Sequence, residues 1–343
     1  MRLPRRSQYA ADLIMGGTTL ITHGLALCCA ARMRRIAQSD MRWSGEAVIF
    51  RAGALMPSDL FASPSLREAF SYVTITPMTA GYERLATPLG RNWSEDFRLP
   101  PVMEVSPVVS GLSIRRLSPR AAPGIVGIFW ERGDGKTFSG YRVVQDEETP
   151  EDVVAAFCKV FAGARADGPV LRVPSGRLEA QVVGYGRSTR LASRQSQSFR
   201  LSIWTDRCTM RAALGTLLND RLLPEDWLDL PDGRCAQIIF DGEEEHDEMQ
   251  TQILFRRDIR VRVIWDRWET DWTPQMIAGG GWLRTAGSIQ PWGVTPGNNR
   301  SEIPVDTLVR LSAQQDMPMD YRDWCVDSDG TVIWSPSSAG GIS

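Results

Sequence analysis

Histidine is nearly absent from this chain of 343 residues: His23 and His246 are the only two. That scarcity leaves few candidates for a histidine general acid or base. Six cysteines are present, Cys28, Cys29, Cys158, Cys208, Cys235 and Cys325, but no C-x-x-C pair. A structural zinc site takes about four clustered sulfur or nitrogen ligands, and this spacing does not supply them. Buried free thiols are the expected state. Charge of one sign is lacking too, since 39 basic residues face 41 acidic ones and the net charge is −2. A chain that grips phosphate backbones through its overall charge carries a basic excess. No run is apolar enough to span a bilayer. The stretch 10–31 follows Arg2, Arg5 and Arg6 but is interrupted by Asp12, Thr18, Thr19, Thr22 and His23. It reads as an ordinary helix, not as a signal segment.

The common chemical motifs are also missing. There is no G-x-S-x-G elbow and no H-E-x-x-H. Gly135-Lys136-Thr137 ends like a phosphate-binding loop, but Trp130 stands where that motif needs glycine. The segment also reads as a hairpin turn, whereas phosphate binding needs a strand-to-helix junction. Asp327-Ser328-Asp329-Gly330 begins like a calcium loop, but Ser338 and Ala339 stand near the position of the required distal glutamate. No metal, cofactor or catalytic residue is therefore expected.

What remains is ordinary globular usage, 43% hydrophobic and 23% charged, with two concentrations of unusual residues. Seven of the twelve tryptophans fall between Trp265 and Trp334. Tryptophan is enriched at interface hot spots, so Trp272, Trp282, Trp292 and Trp324 are candidate subunit-contact residues. The second concentration is the acidic run Glu243, Glu244, Glu245, Asp247 and Glu248 around His246. Such runs are usually solvated loops whose charges repel each other. In a ring, this one would face the lumen and keep DNA from adhering.

Along the chain, residues 1–146 read as a mixed accessory domain. It has a helix over 21–36, strands at 47–50, 72–75 and 108–116, a loop over 86–98, and a hairpin joining 124–130 to 138–144. Residues 149–268 carry the clearest pattern. Thr149-Pro150-Glu151-Asp152 is a helix start. Val153, Val154, Phe157, Val160 and Phe161 form one apolar face. A strand over 178–185 leads to a polar loop over 186–195 and a second strand over 199–204. Asp206 then starts another helix, striped by Met210, Ala213, Leu214, Leu217 and Leu218. Strands at 235–240 and 252–265 flank the acidic run. The expected fold is α+β, with these two helices packed on one antiparallel sheet. Residues 271–343, rich in Trp, Gly and Pro, read as an extended arm with a short helix at 305–311 and a short strand at 331–334. That arm lies on its own domain or on a neighbouring subunit.

The order helix, hairpin with a long polar stretch, helix, hairpin over 149–268 resembles the tail terminator (tail completion) proteins of long-tailed phages. The phrase Arg256-Arg257-Asp258-Ile259-Arg260-Val261 before the last strand is similar as well. The resemblance covers roughly a third of the chain, is one of topology, and fixes no motif residue. It implies a non-catalytic virion protein that assembles in the host cytoplasm. Such a protein forms a homohexameric ring on the tail tube and joins it to the head connector. DNA passes through without specific binding, and neither a cofactor nor a membrane is involved. The N-terminal domain and C-terminal arm depart from the simplest members and suit a contractile tail, whose ring also holds sheath. A baseplate or collar adaptor is the alternative, and a hydrolase using acids of 241–248 is a more distant one.

Overall fold

The computed structural model describes residues 17–38, 47–57, 59, 70–87, 92–117, 123–222, 224, 226–247, 254–275, 281–285, 288–292, 303–321 and 331–334. The first elements are helix α1 (Thr18–Gln38) and strands β1 (Val48–Ala52), β2 (Ser71–Pro77), β3 (Glu83–Leu85) and β4 (Ser94–Leu99). Next come β5 (Met103–Val108), β6 (Gly111–Arg116), β7 (Ile125–Glu131) and β8 (Thr137–Val143). Helix α2 (Pro150–Val160) precedes β9 (Arg165–Asp167), β10 (Val170–Arg172), β11 (Arg177–Val183) and the long β12 (Tyr185–Thr205). Helix α3 (Cys208–Leu222) leads to β13 (Trp227–Asp229), β14 (Cys235–His246) and β15 (Phe255–Pro274). The hairpin β16 (Gly281–Thr285) and β17 (Ser288–Trp292), helix α4 (Val305–Asp316) and β18 (Thr331–Trp334) complete the set. The protein is thus a mixed fold of helices with a large sheet, as the α+β reading expects at that level.

The chain divides into two compact units, one of residues 1–91, 191–268 and 313–343, the other of 92–190 and 269–312. The segments 1–146, 149–268 and 271–343 are each shared between both units. Hydrophobic periodicity shows which face of an element is buried; it does not show which sheet buries it.

In the first unit the strands run in the order β13-β14-β15-β12-β2-β1-β18. Strands β1 and β2 pair in parallel, while β1–β18, β2–β12, β13–β14 and β14–β15 are antiparallel. Two helices share one core with this sheet, but they are α1 and α3, not the expected pair. Helix α1 contributes Ile21, Leu25, Ala26, Cys29, Ala30 and Met33, so it is buried around much of its circumference. Helix α3 contributes Leu214 and Leu218. The sheet answers with Val48, Phe50, Val73, Ile75, Leu201, Ile203, Val261 and Val263. Alternation along each strand places these on one face. The polar loop expected over 186–195 is strand throughout, part of β12. Its alternation is carried by polar side chains that the sheet satisfies. Gln195 accepts from Tyr82 Oη at 3.1 Å and the Gln197 amide donates to the Met78 carbonyl at 2.5 Å. Both glutamines are buried.

The second unit contains the sheets β5-β6-β10-β9 and β11-β7-β8. Its β4 pairs with residues 185–189 of β12, so the loop expected over 86–98 is partly strand. The hairpin expected around 131–136 is present as β7–β8. Gly176, at φ +97°, approaches so closely that a Cβ there would stand 2.0 Å from the Glu131 carbonyl oxygen; only glycine fits. Helix α2 starts as its sequence predicts. The Thr149 side chain accepts from the Asp152 N–H, and Asp152 reciprocates to the Thr149 N–H at 3.0 Å. The Thr149 hydroxyl, donating to the Asp152 carboxylate at 2.7 Å, and then the Thr149 N–H hold that carboxyl below its ordinary range. This helix packs its Val153, Val154 and Phe157 with Val126, Ile128, Trp130 and Leu171, a core separate from that of α1 and α3. A neighbouring cluster joins Leu99, Ile125, Val183 and Tyr185 to Trp272 and Leu308.

Truncating a fully buried ring leaves a cavity, so Phe157→Ala should cost about 3–5 kcal/mol. Val160→Ala, at an exposed position of the same helix, should cost less than about 0.5 kcal/mol. Chemical denaturation of the two variants measures the difference.

Candidate functional site

The acidic run is not a loop. Residues 243–246 are the end of β14, paired residue by residue with the arginine-rich start of β15: Glu243 opposite Ile259, Glu244 opposite Asp258, Glu245 opposite Arg257, His246 opposite Arg256. The expectation of a self-repelling loop fails because Glu243, Glu245 and Asp247 each meet an arginine from another element. A register shift between Phe240 and Gly242, a β-bulge in effect, sets which acids face which side.

On the side facing α3, two arginines are almost wholly buried, Arg211 from the first turn of that helix and Arg257 from β15. Arg257 Nη2 donates to Glu243 at 2.6 Å and Nη1 stands 3.6 Å from Glu245. Arg211 donates to Glu245 at 3.0 Å and also to Asp247. Its guanidinium lies 5.7 Å from the Phe255 ring centroid. The Asn219 amide, further along α3, donates to Glu243 as well. Gly215 sits between these helical residues because the arginine passes beneath it. A Cβ there would stand 2.6 Å from Arg257 Cδ. The Arg257 guanidinium, followed by Asn219, holds the Glu243 carboxyl below its ordinary range.

The opposite side of the same strands carries a second knot around Asp258, whose carboxylate is buried. Arg256 grips it with two hydrogen bonds of 2.7 and 2.5 Å, His246 Nε2 stands 3.3 Å away, and Arg200 Nε 3.9 Å. The Arg256 guanidinium also covers Trp204, 5.0 Å from its centroid.

Chemically, this arrangement is a set of matched ion pairs. A carboxylate acting as general acid or base near neutral pH needs its pKa raised, and Glu243 is moved the other way. Among the described residues no group of three or more His, Cys, Asp or Glu side chains is placed to hold a metal ion. Glu244 is exposed, and Glu248 lies outside the described residues.

The tryptophan candidates disperse. Trp272 is buried in its own unit beside Tyr185 and Leu308, which corrects its assignment as a candidate subunit-contact residue: the segment that carries it is part of strand β15. Trp282 stands opposite Pro291, and Trp292 opposite Gly281, in the β16–β17 hairpin; Trp324 lies outside the described residues. The thiols are corrected in part, since Cys28 and Cys29 are buried while Cys208 and Cys235 are exposed.

Arg211 and Asn219, the helical half of the clamp, are absent from the sequence-based candidates. One signal points to them. Lys136 and Lys159 are the only lysines, so 37 of the 39 basic residues are arginine, the side chain suited to buried, fixed-geometry ion pairs. No family model matches this chain, and no curated protein matches it in sequence.

Because its folded pKa lies below the ordinary 4.5, Glu243 adds stability that is present above that pH and lost as pH falls through the folded value. Glu243→Gln should therefore cost about 1 kcal/mol or less at pH 7, since solvent screens a carboxylate that is 41% exposed. The difference from the parent should shrink in acid, as read by urea midpoints measured at pH 7 and below pH 4.

Proposed function

We propose that this chain is a structural subunit of a phage tail, a ring-forming terminator or neck protein. The ring joins the tail tube, with sheath in a contractile tail, to the head connector, and DNA passes through it without specific binding. The observation that carries this reading is the consumption of chemistry-bearing side chains by one another. Glu243, Glu245, Asp247 and Asp258 all spend their charge on arginines of the same chain. A hydrolase built on residues 241–248 needs a carboxylate released from such partners. The exposed Glu244 adds to that strand end the sign that repels DNA, which suits a lumen.

Closed rings form through head-to-tail contacts whose rotation returns to the start. Native mass spectrometry of the full chain, alone and with tail-tube protein, should show a closed homo-oligomer centred on six copies. A chain that stays monomeric in both samples would overturn the reading. Replacing Glu243, Glu244 and Glu245 together by Gln should lower the melting temperature and leave any hydrolytic background unchanged.

A further inference from the structure

The face of the first unit's sheet turned away from its core carries a second, unused surface at the β13–β14 end. Register places Trp227 opposite Gln237, Gln237 opposite Ile264, and Ile239 opposite Arg262. Their neighbours Leu228, Ala236, Ile238 and Val263 belong to the core, so these residues point to the other side. Trp227 is 61% exposed, Ile239 37% and Trp268 36%. The Arg234 guanidinium lies 4.6 Å from the Trp268 centroid. Two bracketing ion pairs complete the surface, Arg194 with Asp266 at 2.7 and 2.8 Å and Arg262 with Asp241 at 3.1 Å.

We propose that this face docks a second copy of the chain in a two-fold contact. Exposed tryptophans on a hydrogen-bonded sheet are the residues that dominate contact energies. The charge pattern chooses the occupant. Each Arg is matched by an Asp beside it, so the face is neutral overall and offers both signs side by side. A surface of that kind complements its own two-fold copy, whereas nucleic acid or an anionic membrane calls for a basic excess. Edge-to-edge addition is the competing way to join two sheets. There the register shift between Phe240 and Gly242 breaks the regular edge of β14 that an added strand would need. The face is left. This contact does not depend on the ring, which closes through head-to-tail surfaces.

Cys235, exposed two residues from Gln237 on the same side, reports on the contact. Its thiol donates to Asp229 at 3.4 Å. Burial, then that contact, pushes its pKa up, so labelling belongs at alkaline pH. Sedimentation velocity across micromolar concentrations should show the full chain self-associating, and Trp227→Glu should weaken that association at least about tenfold. Circular dichroism must show Trp227→Glu folded. In a Cys208→Ser chain, which keeps the parent surface, a short bismaleimide should yield a dimer whose linked peptides both contain Cys235. If the parent chain is monomeric throughout, both this contact and the ring fall. If it assembles but Trp227→Glu assembles equally well and no Cys235–Cys235 link appears, the contact alone falls and the ring stands.

Discussion

Two positive charges held almost out of water, Arg211 and Arg257, are the constraint around which one end of the first unit is arranged. Removing a guanidinium from water costs several kcal/mol unless carboxylates and hydrogen bonds replace the solvent. Here Glu243, Glu245 and Asp247 replace it. That requirement explains why β14 ends in a run of acids. It explains why β15 answers with arginines in antiparallel register, and why α3 carries a glycine where Arg257 passes. The apolar stripe of α3, Leu214 and Leu218, can close over the sheet only while this charged end is matched.

The same constraint separates what the sequence revealed from what it concealed. The start of α2 was readable because Thr149 to Asp152 act on each other within one turn, and local hydrogen bonding needs no tertiary partner. The strands at β1, β2 and β18 and the β7–β8 hairpin were readable from apolar alternation. Two errors share one cause. The polar half of β12 and the acidic half of β14 look like loops, since strand signals rest on apolar side chains. Gln195, Gln197, Glu243 and Glu245 are ordered by partners far away in sequence. Only opposition in an antiparallel pair turns the acidic run and the Arg256–Arg262 run into one structure. The choice of helices failed for a different reason. The stripe on α2 marks burial but does not name the sheet, and α1, buried on several sides, shows no single narrow stripe.

The ion pairs of the clamp tie α3 to β14 and β15. Arginine in place of lysine favours planar pairs of fixed geometry over mobile surface charge. The cross-strand pairs Arg194–Asp266 and Arg190–Glu269 extend this pattern along β12 and β15 well beyond the clamp. Tryptophan plays two parts: Trp130, Trp265 and Trp272 fill cores, while Trp227 and Trp268 stay at the surface beside matched charges.

The clamp is tested most directly by a double-mutant cycle between Arg257→Met and Glu243→Gln, with unfolding free energies measured at neutral pH. If Arg257 is held in place by the acidic strand, the two losses overlap and the coupling exceeds about 1 kcal/mol. Additive losses, with a coupling below about 0.3 kcal/mol, would mean that the acids are a solvated run after all, and the account built on them would be wrong.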